Sequence, residues 1–121
     1  MILADTSIWV DHLRKGDDAL VRELENSMIL GHPFVVGELA VGNLSNRAEI
    51  LFLVERLPKA RTASDSEVNK LIENKRLMGR GIGLVDAHLL ASTLLSHSAK
   101  LWTRDKKLRS IAVELGVAHV S

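Results

Sequence analysis

Four acidic residues sit where apolar side chains dominate: Asp5 in ILADTS, Glu38 in FVVGELAVG, Asp86 in GLVDAHLLAS and Asp105 at the end of KLWTRD. An ionised carboxylate withdrawn from water costs several kcal/mol unless a counter-charge or hydrogen-bond donors offset it. A fold for this chain must therefore either give each acid its own partner or gather the four around a shared cation. Hard divalent cations, which take oxygen ligands, meet the second requirement.

The segments between these acids define a frame. Residues 1–5 read as a short buried strand that runs straight into a helix start, since Asp5, Thr6 and Ser7 are all N-cap types and Ile8, Trp9, Val10 and Leu13 form a stripe. That helix stops at Gly16. A second helix covers 17–27, an apolar turn lies around Gly31 and Pro33, and a third helix runs from about Phe34 to Leu44. Residues 46–56 are helical until Leu57-Pro58 breaks the pattern. KARTAS (59–64) has weak strand character, Ser64 or Asp65 caps a long helix through Met78, and Gly79, Gly81 and Gly83 make a flexible connection. The most apolar helix covers 84–97, a buried strand 99–103, and a final helix capped by Asp105 ends at Gly116, before a last short strand at 117–120.

Short apolar strands alternating with helices imply an α/β fold with a parallel sheet covered on both faces. Ligand sites in such sheets lie beyond the carboxyl ends of the strands. Asp5 ends the first strand and Asp105 follows the strand ending at Thr103, so both should emerge on that edge.

Composition narrows the class. A chain of 121 residues is one domain, and 46% hydrophobic with 26% charged residues is globular rather than disordered composition. Without cysteine there is neither a disulfide framework nor a thiolate metal site. No run reaches the ~18 apolar residues of a membrane span, and MILADTS lacks the features of a signal peptide, so a cytoplasmic, non-membrane location is expected. Net charge is +1, but setting the four acids aside leaves 16 basic residues against 11 acidic. Lys100, Arg104, Lys106, Lys107 and Arg109 crowd one segment, which suits a phosphate backbone as well as a solvated helix face.

Each acid has a structural alternative. Asp5 and Asp105 can simply cap the helices that follow them. Asp86 shares its helical face with Leu89, Leu90 and Thr93, and Glu38 sits in mid-helix beside Phe34, Val35, Val41 and Gly42, where capping offers no explanation. A salt bridge is the bland alternative for both. The five histidines (12, 32, 88, 97 and 119) show no metal-ligand spacing and read as structural or surface residues. No Walker or Rossmann glycine loop follows a strand, and no nucleophile elbow is present.

Taken together, ILADTSIWVDHL, VVGELAVG, GIGLVDAHLLAS and LWTRDKKL make the chain similar to the PIN-domain family, and more narrowly to VapC-type toxins of bacterial toxin–antitoxin pairs. The resemblance spans essentially the whole chain, as one domain over 1–121. It implies a three-layer α/β/α sandwich around a parallel sheet, with Asp5, Glu38, Asp86 and Asp105 as the acidic quartet that binds Mg²⁺ or Mn²⁺. Thr6 and Thr103 match the small hydroxyl residues bordering that site. The resemblance further implies an RNA substrate cut endonucleolytically, a homodimer with higher toxin–antitoxin assemblies, and a cognate antitoxin covering the acidic site. One position departs from the family: Lys107 stands where many PIN domains carry another acid, which weakens a second metal site and suits a contact to RNA phosphate.

The chemistry expected of such a site is in-line hydrolysis of a phosphodiester by water activated at an oxygen-ligated hard ion. Asp5 and Asp86 would be principal ligands, with Glu38 and Asp105 completing the site and orienting the water. Two other classes compete: a non-catalytic module that keeps the fold but works by interaction, and a phospho-receiver-like domain. The receiver needs an acidic pair after its first strand, where DTS supplies a single acid.

Overall fold

The structure is a computed structural model that describes residues 1–120. Its elements run β1 (Ile2–Ala4), α1 (Thr6–Lys15), α2 (Asp18–Glu25), β2 (Ile29–Leu30), α3 (Pro33–Val41), α4 (Arg47–Arg56), α5 (Asp65–Lys75), α6 (Leu84–Leu95), β3 (Lys100–Trp102) and α7 (Lys106–Glu114). The strands form one parallel sheet in the order β2-β1-β3, with Leu3 opposite Leu30 on one side and Leu101 on the other.

Successive residues of a strand point to opposite faces. In β1, Ile2, Leu3 and Ala4 are all buried, so helices must cover both faces of the sheet, giving helix, sheet and helix layers. The core built around β1 includes Ile8, Trp9, Leu20, Ile29, Leu39, Leu90, Leu101, Leu108 and Ile111. Among the described residues, no helix is long and apolar enough to cross a membrane.

Local chemistry explains the helix ends. Asp5 Oδ1 accepts from the N–H groups of Ser7 and Ile8 at 3.0 and 3.4 Å, starting α1, which stops at Gly16 with φ +78°. Ser64 and Glu67 form a reciprocal capping box at the start of α5. Asp105 Oδ1 accepts from Leu108 N–H at 2.8 Å and caps α7.

Several expectations need correction. The apolar turn before Pro33 contains β2, a strand that exists because Ile29 and Leu30 pair with β1. The 59–64 segment forms no strand; Lys59 makes a single bridge to Gly31. The 117–120 segment is likewise one bridge, Ala118 to Leu101. The third helix starts one residue early, at Pro33, and ends at Val41 rather than Leu44. The fifth ends at Lys75 rather than Met78, because Arg76 turns left-handed (φ +53°) and closes it.

Candidate active site

Asp5 and Asp105 do leave the sheet on one edge, beyond the carboxyl ends of β1 and β3. Backbone pairing continues past the strands there, with Asp5 N–H donating to Trp102 C=O at 3.0 Å. Hydroxyl groups then stitch the two strand ends together. Ser7 Oγ donates to Asp5 Oδ1 and accepts from Arg104 N–H at 2.9 Å. Thr103 Oγ1 accepts from Asp105 N–H at 3.0 Å and is itself a hydrogen-bond partner of the Asp5 carboxylate. One buried hydroxyl thus connects the segments that carry two of the four acids.

The other two acids arrive on helices. Glu38 lies in α3, and Thr6, the first residue of α1, donates to its Oε1 at 2.6 Å. Asp86 lies in the first turn of α6, where its Oδ2 accepts from Gly83 N–H at 3.1 Å. Asp86 therefore also has a capping role, reaching back to the residue before its helix. Its neighbours are acidic: burial first, then the charges of Asp105 and Glu38, hold its carboxyl above the usual carboxylate range, against the Gly83 hydrogen bond.

The burial of the four is uneven, and this corrects the premise that all sit in apolar surroundings. Asp5 is 6% exposed, and burial raises its carboxyl pKa although hydrogen bonds from Ser7, Thr103 and Ile8 pull it down. Asp86 is half-buried, while Glu38 and Asp105 are exposed. The apolar residues around Glu38 do not enclose it because they face solvent themselves: Phe34 is 37% and Val41 88% exposed. Phe34, Gly37, Val41, Leu84 and Val85 line an open apolar hollow that runs up to Glu38.

In each of Glu38, Asp86 and Asp105, one carboxylate oxygen is held by a donor of this chain and the other accepts no hydrogen bond from a described residue. Holding one oxygen orients the second. Among the described residues no three His, Cys, Asp or Glu side chains converge closely enough to hold an ion as they stand. Mutual repulsion among like charges favours that separation. The donor set is nonetheless oxygen throughout, and the raised Asp5 and Asp86 carboxyls are groups a cation would relieve. Chemically the four fit a hard divalent ion.

The histidines stay out of this set. His32 caps α3, its Nδ1 accepting from Phe34 N–H and its Nε2 bonding Ser92 Oγ at 2.9 Å. Burial, with the nearby His88, lowers its pKa to about 4, so it is neutral and structural. His88 is buried against the Phe34 ring, 4.7 Å between centroids, and His119 packs edge-on to Trp102. Sequence reasoning placed Thr6 and Thr103 at the site only through the family resemblance and did not single out Ser7 as the link from Asp5 to Arg104. The signal available was the DTS triplet, a hydroxyl two residues after a strand-end acid.

The PIN domain family model matches residues 2–114 of this chain. The chain is also 45% identical over 118 residues to proteins named Ribonuclease VapC32 from two Mycobacterium tuberculosis strains, CDC 1551 / Oshkosh and ATCC 25618 / H37Rv. Those alignments cover 98% of this chain and 95% of each relative.

Proposed function

The chain belongs to the PIN-domain family, and from that premise we propose that it is a VapC-type ribonuclease, the toxin of a toxin–antitoxin pair, hydrolysing RNA phosphodiester bonds at the acidic edge of its sheet. The observation that carries the reading is the paired use of each carboxylate. Glu38, Asp86 and Asp105 each give one oxygen to their own fold and leave the other open, beside the buried Asp5.

Asp5 and Asp86 are assigned as principal ligands of Mg²⁺ or Mn²⁺, with Glu38 and Asp105 completing the set. When bound, the ion supplies Lewis-acid polarisation of the phosphoryl oxygens and acidifies water at the site. The protein supplies orientation. Ser7 and the α1 amides hold Asp5 in one rotamer, and the Thr103 hydroxyl sets Asp105 relative to Asp5. Thr6 steadies Glu38, whose open oxygen accepts a hydrogen bond from the attacking water and aims it at phosphorus. With only Phe34, Phe52, Trp9 and Trp102 as aromatic residues, two of them buried, RNA is held through its backbone and shape rather than by extended stacking.

The apolar hollow beside Glu38 suits a second copy of the chain, making a homodimer, and a cognate antitoxin covers the acidic site in the cytoplasm, within a larger toxin–antitoxin assembly. Exposed Val41 and Leu84, 88% and 64% accessible, support the first of these.

The deciding experiment incubates the purified protein with a panel of RNAs and Mg²⁺ or Mn²⁺, beside Asp5→Asn and Asp86→Asn variants. Cleavage by the unaltered chain and its loss in both variants is expected. Cleavage that survives in both would sink the site assignment. A panel left intact by the unaltered chain would shift the reading to a PIN-fold interaction module.

A further inference from the structure

The first turn of α7 contains no acid and two lysines, Lys106 and Lys107, directly after the capping Asp105. Cations at a helix N-terminus oppose the macrodipole, so local propensity does not account for them. Lys107 is also not a loose surface side chain. Its stem lies across Gly81: a Cβ built on that glycine would stand 2.6 Å from Lys107 Cδ, 3.2 Å from Cε and 2.9 Å from Nζ. Gly81 has φ +83°, a conformation that side-chain-bearing residues rarely adopt, which calls for glycine there, and any side chain at this position would also displace the end of Lys107.

Gly81 belongs to the loop that leads into α6. Gly83, two residues on, is the one whose N–H Asp86 holds. The loop is tied to the far end of α7 as well, where Arg80 meets both carboxylate oxygens of Glu114 at 2.9 and 3.2 Å. Lys107, exposed on the helix that follows Asp105, therefore lays its stem on the loop that leads to Asp86. Among the described residues, its ammonium makes no hydrogen bond or ion pair. A seated stem with an uncommitted cationic head, on the loop that leads to Asp86 and two residues after Asp105, is suited to an anion that comes from outside.

We propose that Lys107 is the phosphate-binding side chain of this site, holding a phosphate of the RNA beside Asp86 and Asp105, and that Gly81 is the seat that positions it. The proposal rests on the ribonuclease reading and assigns the residue that offsets the repulsion between an acidic cluster and a polyanion. Lysine supplies a point charge with rotatable donors, which suits a phosphate oxygen without fixing a base.

The test uses the full-length chain carrying Asp86→Asn, so that RNA is bound but not cut, and measures its affinity for a fluorescein-labelled single-stranded oligoribonucleotide of mixed sequence in Mg²⁺ at several salt concentrations. Adding Lys107→Gln should weaken binding roughly tenfold at low salt and make the log–log salt slope shallower by about 0.7, the contribution of one phosphate on a single strand. Lys107→Arg should keep the slope. Gly81→Ala should reproduce most of the loss, yet cost nothing further in the Lys107→Gln background, with circular dichroism confirming that each variant is folded. An unchanged affinity and slope in Lys107→Gln would overturn the proposal. Cleavage assays on the unaltered chain, run in parallel, report on the ribonuclease reading separately, and failure of the Asp86→Asn parent to bind any RNA would overturn the Lys107 proposal while leaving that reading to the cleavage result.

Discussion

Replacing Thr103 by valine tests whether one hydroxyl organises the acidic edge of the sheet. Valine keeps the shape of threonine and removes only the oxygen, at a position 6% exposed. Two interactions disappear: the acceptor for Asp105 N–H and the donor to the Asp5 carboxylate. A neutral hydrogen bond contributes about 1 kcal/mol and one to a charged group about 1.5–3 kcal/mol. Asp5 keeps Ser7 and Ile8 as donors, and Asp105 N–H lies on an exposed residue that water reaches, so the lower end applies, about 2 kcal/mol in all. Unfolding entropy of roughly 2.1 cal/mol/K per residue over 121 residues is about 0.25 kcal/mol/K, so the melting temperature should fall by about 8 °C. RNA cleavage should fall roughly tenfold to a hundredfold, because Asp105 loses the contact that sets it relative to Asp5. Thermal denaturation followed by circular dichroism and a timed cleavage assay measure the two effects. Thr103→Ser, which restores the hydroxyl, should recover most of the cleavage while still costing about 1 kcal/mol for the lost methyl. A valine variant that melts within about 2 °C of the parent and cleaves normally would refute the argument that this hydroxyl couples the two acids.

Three further outcomes are expected. Asp86→Asn should abolish cleavage yet raise the melting temperature of the metal-free protein at pH 7 by about 2–8 °C, since it removes a half-buried charge with two acidic neighbours, each worth a few tenths of a kcal/mol to about 1. The sign also sets a pH dependence. Burial holds the Asp86 carboxyl above its unfolded value, so the folded state binds the proton more tightly and the penalty appears only as pH rises through the folded pKa. The gain from Asp86→Asn should accordingly shrink towards zero below about pH 4, and a gain that persists there would argue against its electrostatic origin. Adding Mg²⁺ or Mn²⁺ should raise the melting temperature of the parent by about 11 °C at a hundredfold excess over Kd, and this response should disappear in Asp5→Asn and Asp86→Asn; equal shifts in all three proteins would place the ion elsewhere. Val41→Glu changes a residue that is 88% exposed, so stability should move by no more than about 0.5 kcal/mol, while light scattering should show a dimer giving way to monomer; an unaltered mass would remove the hollow beside Glu38 as the dimer surface.

The parts of this protein that sequence alone determined are those governed by interactions within a few residues. Asp5, Ser64 and Asp105 start helices because a side-chain oxygen reaches an amide two or three residues ahead, and that reach is written in the local order of residues. The same locality places Asp5 and Asp105 at strand ends, and the parallel sheet follows from apolar strands separated by helices. The tertiary structure decided what depends on partners distant in the chain. β2 is two residues long and becomes a strand only by pairing with β1. Glu38 and Asp105 are exposed rather than buried, because apolar neighbours on a helix say which side chains share a face but not whether another element covers it. Both readings of the strand-end acids also proved compatible: a carboxylate has two oxygens, and Asp105 caps α7 with one while presenting the other. The contacts around the four acids, Thr6 to Glu38, Thr103 to Asp5 and Lys107 over Gly81, join residues 26 to 98 positions apart, and only the closed fold sets those distances.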